Sequence, residues 1–250
     1  MYLLLAAMLV LLAAALWWPT TYRALVREDG LVEWLTALGL LATGIALLAR
    51  WRRDGRREGR VWRAVVLTAA AAALFGFGEE ISWGQRIVGY EVAEGSLLDT
   101  YNLQGETNLH NLEVGGVKVN KVVFTWGLGL ALLGYFVAYP LATRRRPDLR
   151  ARLYRLGVPT PDGESVAVAG LAAAVAQAIP QSRSSECFEL VLPVLALVTV
   201  AQWRGRRLPP SPSGGEAAVA PRASRPTRRR IVGPRSTLLG GSPEGGDCVY

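Results

Sequence analysis

Two short polar segments carry most of the reactive side chains in a chain that is otherwise mainly apolar or basic. Residues 78–86 read GEEISWGQR, and residues 102–111 read NLQGETNLHN. They supply adjacent carboxylates at Glu79 and Glu80 and the only histidine of the sequence, His110. Carboxylates and an imidazole suit general acid–base chemistry and the binding of a divalent metal ion. The sequence therefore predicts Glu79, Glu80 and His110 as catalytic residues.

Other polar residues are predicted to surround that site, including one carboxylate far along the chain. They are Gln85, Arg86, Gln104, Glu106, Asn108, Asn111 and Glu189. A short helix over residues 106–114 would place Glu106 and His110 on one face. These residues leave the cofactor open: a divalent metal ion held by Glu80, Glu106 and His110 is one interpretation, and a surface His110 that binds no ligand is the other. The sequence has no H-E-x-x-H motif that would specify the metal.

These segments must be positioned by membrane helices, because 51% of the residues are hydrophobic and they occur in long runs. The predicted fold is all-α, a polytopic membrane bundle of about six transmembrane helices. The predicted spans lie near residues 2–18, 31–49, 64–83, 122–142, 165–181 and 187–203. An external loop that may hold a short helix joins the third and fourth spans.

The chain divides into a membrane domain and a tail. Residues 1–204 contain every apolar run, whereas residues 205–250 are rich in Pro, Gly, Ser and Arg. A segment of this composition buries too little apolar surface to fold, so we predict a disordered basic cytoplasmic tail. The first run lacks a basic start and a cleavage site, so a retained helix is favoured over a signal peptide.

Arginine placement predicts the orientation. The two most basic connections, residues 50–63 and 144–155, hold seven and six arginines. Short arginine-rich loops stay on the cytoplasmic side. In a bacterial plasma membrane, both termini would then be cytoplasmic and loop 86–121 would be outside.

The same arginines allow the depth of each carboxylate to be counted along its helix. At about 1.5 Å per residue, Glu79 and Glu80 lie roughly 24 to 26 Å from Arg63, and Glu189 roughly 22 Å from Arg204. Glu33 lies roughly 26 Å from Arg50 by the same rise. These carboxylates are therefore predicted to share one depth near the outer surface, where a common polar pocket would lower the cost of each charge.

The two polar segments also resemble a group of uncharacterised bacterial multipass membrane proteins. Those proteins carry a G-E-E-I-S-W-G-Q stretch followed by N-x-Q-G-E-x-N-x-H-N, which residues 78–85 and 102–111 match. The resemblance covers about 35 residues closely. It implies that both segments belong to one site, but the group has no assigned activity, so it implies no reaction.

Three functions are compatible with such a site. The first is a metal-assisted hydrolase or transferase acting on a lipid-linked or envelope substrate, with Glu79 or Glu80 as general base. The second is a cation-binding or transport protein, and the third a structural membrane partner. Membrane lipids are the expected partners. Nucleic acid is not expected, because the arginines flank apolar runs where membrane topology already accounts for them.

Overall fold

The architecture is mostly helical in the computed structural model, which describes residues 1–102, 104–109, 111–119, 130 and 133–203. The helices of the first half are α1 (Tyr2–Trp17), α2 (Pro19–Val26), α3 (Leu31–Asp54), α4 (Arg60–Glu80), α5 (Gln85–Val88) and α6 (Leu97–Tyr101). Those of the second half are α7 (Tyr139–Arg144), α8 (Pro147–Arg155), α9 (Gly163–Gln177) and α10 (Ser184–Gln202). A 3₁₀ turn, Ser82–Gly84, follows α4, and a π-helical segment, Gly134–Ala138, precedes α7.

Among the described residues, three segments are long and apolar enough to cross a membrane. They are Pro19–Asp54, which contains α2 and α3, then Arg60–Glu80 and Ser184–Gln202. The apolar helices α1 and α9 are shorter, with 16 and 15 residues. At 1.5 Å per residue each covers about 22 to 24 Å, less than the roughly 30 Å of a hydrocarbon core. The part of the chain that the structure describes therefore supports a helical membrane protein with three full-length candidate spans.

Helix α3 occupies the centre of this arrangement, because both α4 and α10 pack along it. Small residues allow the close approach. A Cβ added at Gly44 would lie 2.7 Å from Leu74 of α4, and one added at Gly39 would lie 3.1 Å from Pro193 of α10. Close contacts at glycines stabilise helix pairs in membranes through van der Waals packing, because the hydrophobic effect does not drive helices together in lipid. The N-terminal end of α3 consequently lies beside the C-terminal end of α4 and the start of α10.

The predicted helix over residues 106–114 is wrong for the residues that the structure describes. Residues 113–114 instead form β1 (Glu113–Val114), which pairs antiparallel with β2 (Val117–Lys118). Side-chain hydrogen bonds compete with helix formation here. Asn102 Oδ1 accepts from the backbone N–H groups of Gln104 and Glu106, at 3.0 and 3.1 Å. The short helices of this region are α5 and α6.

Two other predictions lie partly or wholly outside the described residues. In the predicted fourth span, residues 122–129, 131 and 132 are not described, while residues 133–142 are helical. The predicted disordered tail, residues 205–250, lies outside the described residues.

Candidate functional site

The first polar segment does not continue α4 as one helix, which corrects the predicted span end at residue 83. Helix α4 ends at Glu80, and Ser82, Trp83 and Gly84 follow with φ angles of 46°, 53° and 87°. Positive φ is unfavourable for residues with a Cβ, so neighbouring contacts must hold this turn. Trp83 supplies one such contact, because its Nε1 donates to Glu79 at 2.8 Å. After the turn, Arg86 of α5 reaches Asp29 and Glu33 at the start of α3.

Glu106 is the centre of a partly buried hydrogen-bond cluster that joins the two polar segments. We call Ser82, Arg86, Glu106, Asn108 and Asn111 the Glu106 cluster. The Glu106 carboxylate accepts from Arg86 Nε and Nη2 at 3.1 and 2.7 Å, from Ser82 Oγ at 3.1 Å and from Asn111 Nδ2 at 3.0 Å. Asn108 Nδ2 donates to it as well. Because both oxygens accept several hydrogen bonds, this carboxylate has little capacity left for another ligand.

Arg86 connects the Glu106 cluster to the N-terminal end of α3. Its Nη1 lies 2.6 Å from Glu33 and 3.2 Å from Asp29. Burial opposes the charge on this guanidinium, but the hydrogen bonds to Glu106 and the charge of Glu33 outweigh it and raise the Arg86 pKa. Arg86 is therefore a permanent cation. Its ion pairs within the described residues are made to these three carboxylates.

Amide side chains fix the rest of the loop. Gln85 accepts from the Thr107 N–H at 2.7 Å and donates to the Gly105 carbonyl at 3.0 Å. Gln104 accepts from Asn111 at 2.7 Å. The predicted site residues Gln85, Gln104 and Asn111 therefore act here as loop anchors.

Glu79 has a different environment from its neighbour Glu80. Only 3% of Glu79 is exposed, and its two oxygens accept from Trp83 Nε1 and from the Leu109 N–H, the latter at 2.7 Å. It therefore fastens the second polar segment to the end of α4. Ser82 is also fully buried, which argues against an accessible nucleophile at that position.

Glu80 faces a small cavity between α3, α4 and α5. The cavity has a volume of about 10 Å³ and is lined by Asp29, Glu33, Trp34, Ala37, Glu80, Ile81, Arg86 and Ile87. A space of this size holds about one water-sized group. Glu80 also lies within electrostatic range of Glu33, Glu186 and Glu189. We call these four carboxylates the acidic site.

Three members of the acidic site lack a direct partner. Glu80, Glu186 and Glu189 accept no hydrogen bond and form no ion pair with any residue that the structure describes. The nearby cation Arg183 is held by Glu28 at 2.6 Å. Glu189 is exposed on the surface of α10, while Glu80 and Glu186 are half-buried. The structure thus places Glu189 near Glu80, but not in the Glu106 cluster.

Sequence reasoning missed three residues of this region. Asp29 pairs with Arg86, Asn102 shapes the loop, and the Thr107 hydroxyl donates to the Ser82 carbonyl. The signal for Asn102 and Thr107 was present, since both lie within the second polar segment. Asp29 lies four residues before Glu33, at the same helix end, and could have been found by the same depth count.

Of the three predicted metal ligands, Glu80 and Glu106 are described and His110 lies outside the described residues. Within the described part of the chain, no group of three His, Cys, Asp or Glu side chains is arranged to hold a metal ion. Glu106 is committed to the Glu106 cluster, and Glu80 faces the cavity. The metal site formed by Glu80, Glu106 and His110 and the catalytic roles of Glu79, Glu80 and His110 stay predictions.

Comparisons with protein-family models, with curated proteins and with solved structures find no match. The fold and its apolar helices define the class, a helical membrane protein. Its function must be inferred from the site.

Proposed function

We propose that the chain is a multipass bacterial plasma-membrane protein whose outward-facing acidic site binds and releases a proton. The proposed topology has six spans, both termini in the cytoplasm and loop 86–121 outside. The arginine-rich connections 50–63 and 144–155 support this orientation. The proton is thus the cation that a cation-binding membrane protein of this kind would take up.

The observation that carries the proposal is the set of unpartnered carboxylates on candidate membrane spans. A charged side chain at membrane depth costs on the order of a few kcal/mol unless it is paired, protonated or in contact with water. Glu33 is paired with Arg86, but Glu80, Glu186 and Glu189 have no such partner among the described residues. A bound proton would remove the charge of one carboxylate and reduce its repulsion with the others.

The size of the cavity favours a proton over a larger ligand. About 10 Å³ beside Glu80 admits one water-sized group but no organic molecule. Such a water could carry protons between the carboxylate and the outer surface.

A backbone group adds polarity at the same depth. Pro193 lies inside α10 and has no N–H, so the carbonyl of Glu189, four residues earlier, lacks its usual intrahelical donor. Freed carbonyls of broken helices line cation and proton sites in membrane proteins. This carbonyl supplies a hydrogen-bond acceptor for a protonated carboxyl or a water.

Infrared difference spectroscopy of the full chain in lipid bilayers tests the proposal. The unpaired carboxyl group of Glu80 should stay protonated at pH values where exposed glutamates, with a pKa of about 4.3, are ionised. We expect Glu80→Gln to remove that protonated carboxyl band. Glu91→Gln, which changes an exposed loop carboxylate, is the matched control and should leave the band in place. The proposal fails if all carboxyl bands titrate as exposed glutamates do.

A further inference from the structure

A second site lies at the opposite end of the α3–α4 pair. A groove of about 170 Å³ is lined by Trp51 from the end of α3 and by Arg60, Arg63, Ala64 and Leu67 from the start of α4. It is much larger than the cavity beside Glu80. All of its lining residues lie within or next to candidate membrane spans. Its chemistry combines cations at one end with apolar side chains along the helix.

The two arginines of this groove are available for a ligand. Arg60 and Arg63 are exposed and make no hydrogen bond or ion pair with any described residue. Arg63 lies 5.7 Å from the centre of the Trp51 ring, a cation–π contact that positions its guanidinium at the groove. By contrast, two nearby arginines already have protein partners: Arg50 donates to the Trp203 carbonyl, and Arg53 pairs with Asp54 at 3.1 Å.

The start of α4 adds a second attraction for an anion. The helix has 21 residues and begins at Arg60, and its N-cap, Gly59, offers no side-chain hydrogen bond. The amides of the first turn therefore have no intrahelical acceptor and carry the positive end of the helix dipole. Phosphate groups bind at such helix starts. Two guanidiniums that line the groove and the uncapped start of the same helix thus carry positive charge at this end of α4.

The apolar part of the groove identifies the kind of anion. Arg60, Arg63, Ala64 and Leu67 follow one face of α4 at helical spacing, and this face runs from the helix start into the candidate span. Ala64 and Leu67 are exposed. A free phosphate would leave them uncovered, whereas an acyl chain would cover them below a bound headgroup.

We propose that this groove binds an anionic phospholipid, with the phosphate between Arg60 and Arg63 and an acyl chain along Ala64 and Leu67. Basic pockets between membrane helices on the cytoplasmic side suit such headgroups. Trp51 at the level of the arginines is typical of an interfacial residue. The inference rests on the proposed membrane span of α4 and does not use the acidic site.

Native mass spectrometry of the full chain in detergent, titrated with phosphatidylglycerol or phosphatidylcholine, tests the proposal. We expect wild type to retain phosphatidylglycerol in preference to phosphatidylcholine. The double variant Arg60→Gln, Arg63→Gln should bind phosphatidylglycerol about 30-fold more weakly, if each arginine contributes as basic residues near a membrane surface do. The control Arg52→Gln, Arg56→Gln makes the same change of charge at exposed arginines outside the groove and should bind like wild type.

Each contrary result has a distinct meaning. Equal retention of the two lipids by wild type, or equal loss of affinity in both double variants, would overturn the specific site. Competition by inorganic phosphate as strong as by phosphatidylglycerol would show a phosphate site without a lipid chain, and would overturn the proposal too. Failure of the protein to enter phosphatidylcholine bilayers would instead contradict the proposed membrane spans. The infrared result for Glu80→Gln tests the proton-binding acidic site and leaves the lipid-binding proposal unaffected.

Discussion

Replacing Glu106 by glutamine should release the second polar segment from the end of α4. The carboxylate accepts five hydrogen bonds, and an amide of the same shape has one acceptor oxygen and one donor group. If the amide nitrogen faces Arg86, it meets two donors. If it faces the other side, it meets the amide nitrogens of Asn108 and Asn111. At least two hydrogen bonds are lost in either orientation.

The size of the effect follows from the burial of the group. The Glu106 side chain is only 14% exposed, so its hydrogen bonds are little screened by water. Hydrogen bonds to charged groups contribute about 1.5 to 3 kcal/mol each, so the loss of two should cost about 3 kcal/mol or more. Each 1.4 kcal/mol changes an equilibrium about tenfold. Local opening of the loop should therefore become about 100-fold more frequent.

Hydrogen exchange of the purified chain measures this opening directly. The informative amides are Thr107, bound to Gln85, and Leu109, bound to Glu79, because both are protected by contacts of the loop with the α4 end. Glu91→Gln removes an exposed carboxylate and should leave exchange unchanged. Exchange of both amides within about twofold of wild type in Glu106→Gln would refute the reasoning.

Two further predictions concern the helices that position the site. Gly44→Val should lower the stability of the α3–α4 pair by about 1 to 3 kcal/mol in a denaturation assay, because even its Cβ would lie 2.7 Å from Leu74. Gly170→Val, at a helical glycine with open space, is the control, and equal effects would contradict the packing argument. Asp162→Ala should cost about 1 kcal/mol, because Asp162 caps α9 by accepting from the Ser165 N–H at 2.9 Å. Burial opposes the Asp162 charge, but the hydrogen bond to Ser165 outweighs burial and lowers the Asp162 pKa. The stability that this cap contributes should therefore be complete above about pH 4 and should disappear as pH falls through the pKa of the folded state. Thermal melts of wild type and variant that differ equally at acidic and neutral pH would contradict it.

The helices could be predicted from the sequence because their signal is local. Apolar runs near residues 31–49, 64–83 and 187–203 correspond to α3, α4 and α10. Helix α3 begins at the predicted residue and ends five residues later, whereas α4 and α10 begin four and three residues earlier than predicted. Such runs are long enough to fix a helix without reference to the rest of the chain. The helix predicted over residues 106–114 failed because Asn102 offers the backbone other hydrogen bonds, and this competition depends on how the loop folds.

The sequence by itself predicted that these carboxylates share one depth, since a helix has a fixed rise and arginine-rich loops are expected at its inner end. The sequence could not determine which of these carboxylates have a hydrogen-bond or ion-pair partner. Glu79 and Glu80 are neighbours in sequence, yet about 100° of helix rotation directs Glu79 towards Trp83 and Leu109 and Glu80 towards a cavity. That distinction depends on the turn at Ser82, which brings Arg86 and Glu106 together and leaves Glu80 without a described partner. Only tertiary structure decides it, because the partners come from separate parts of the chain.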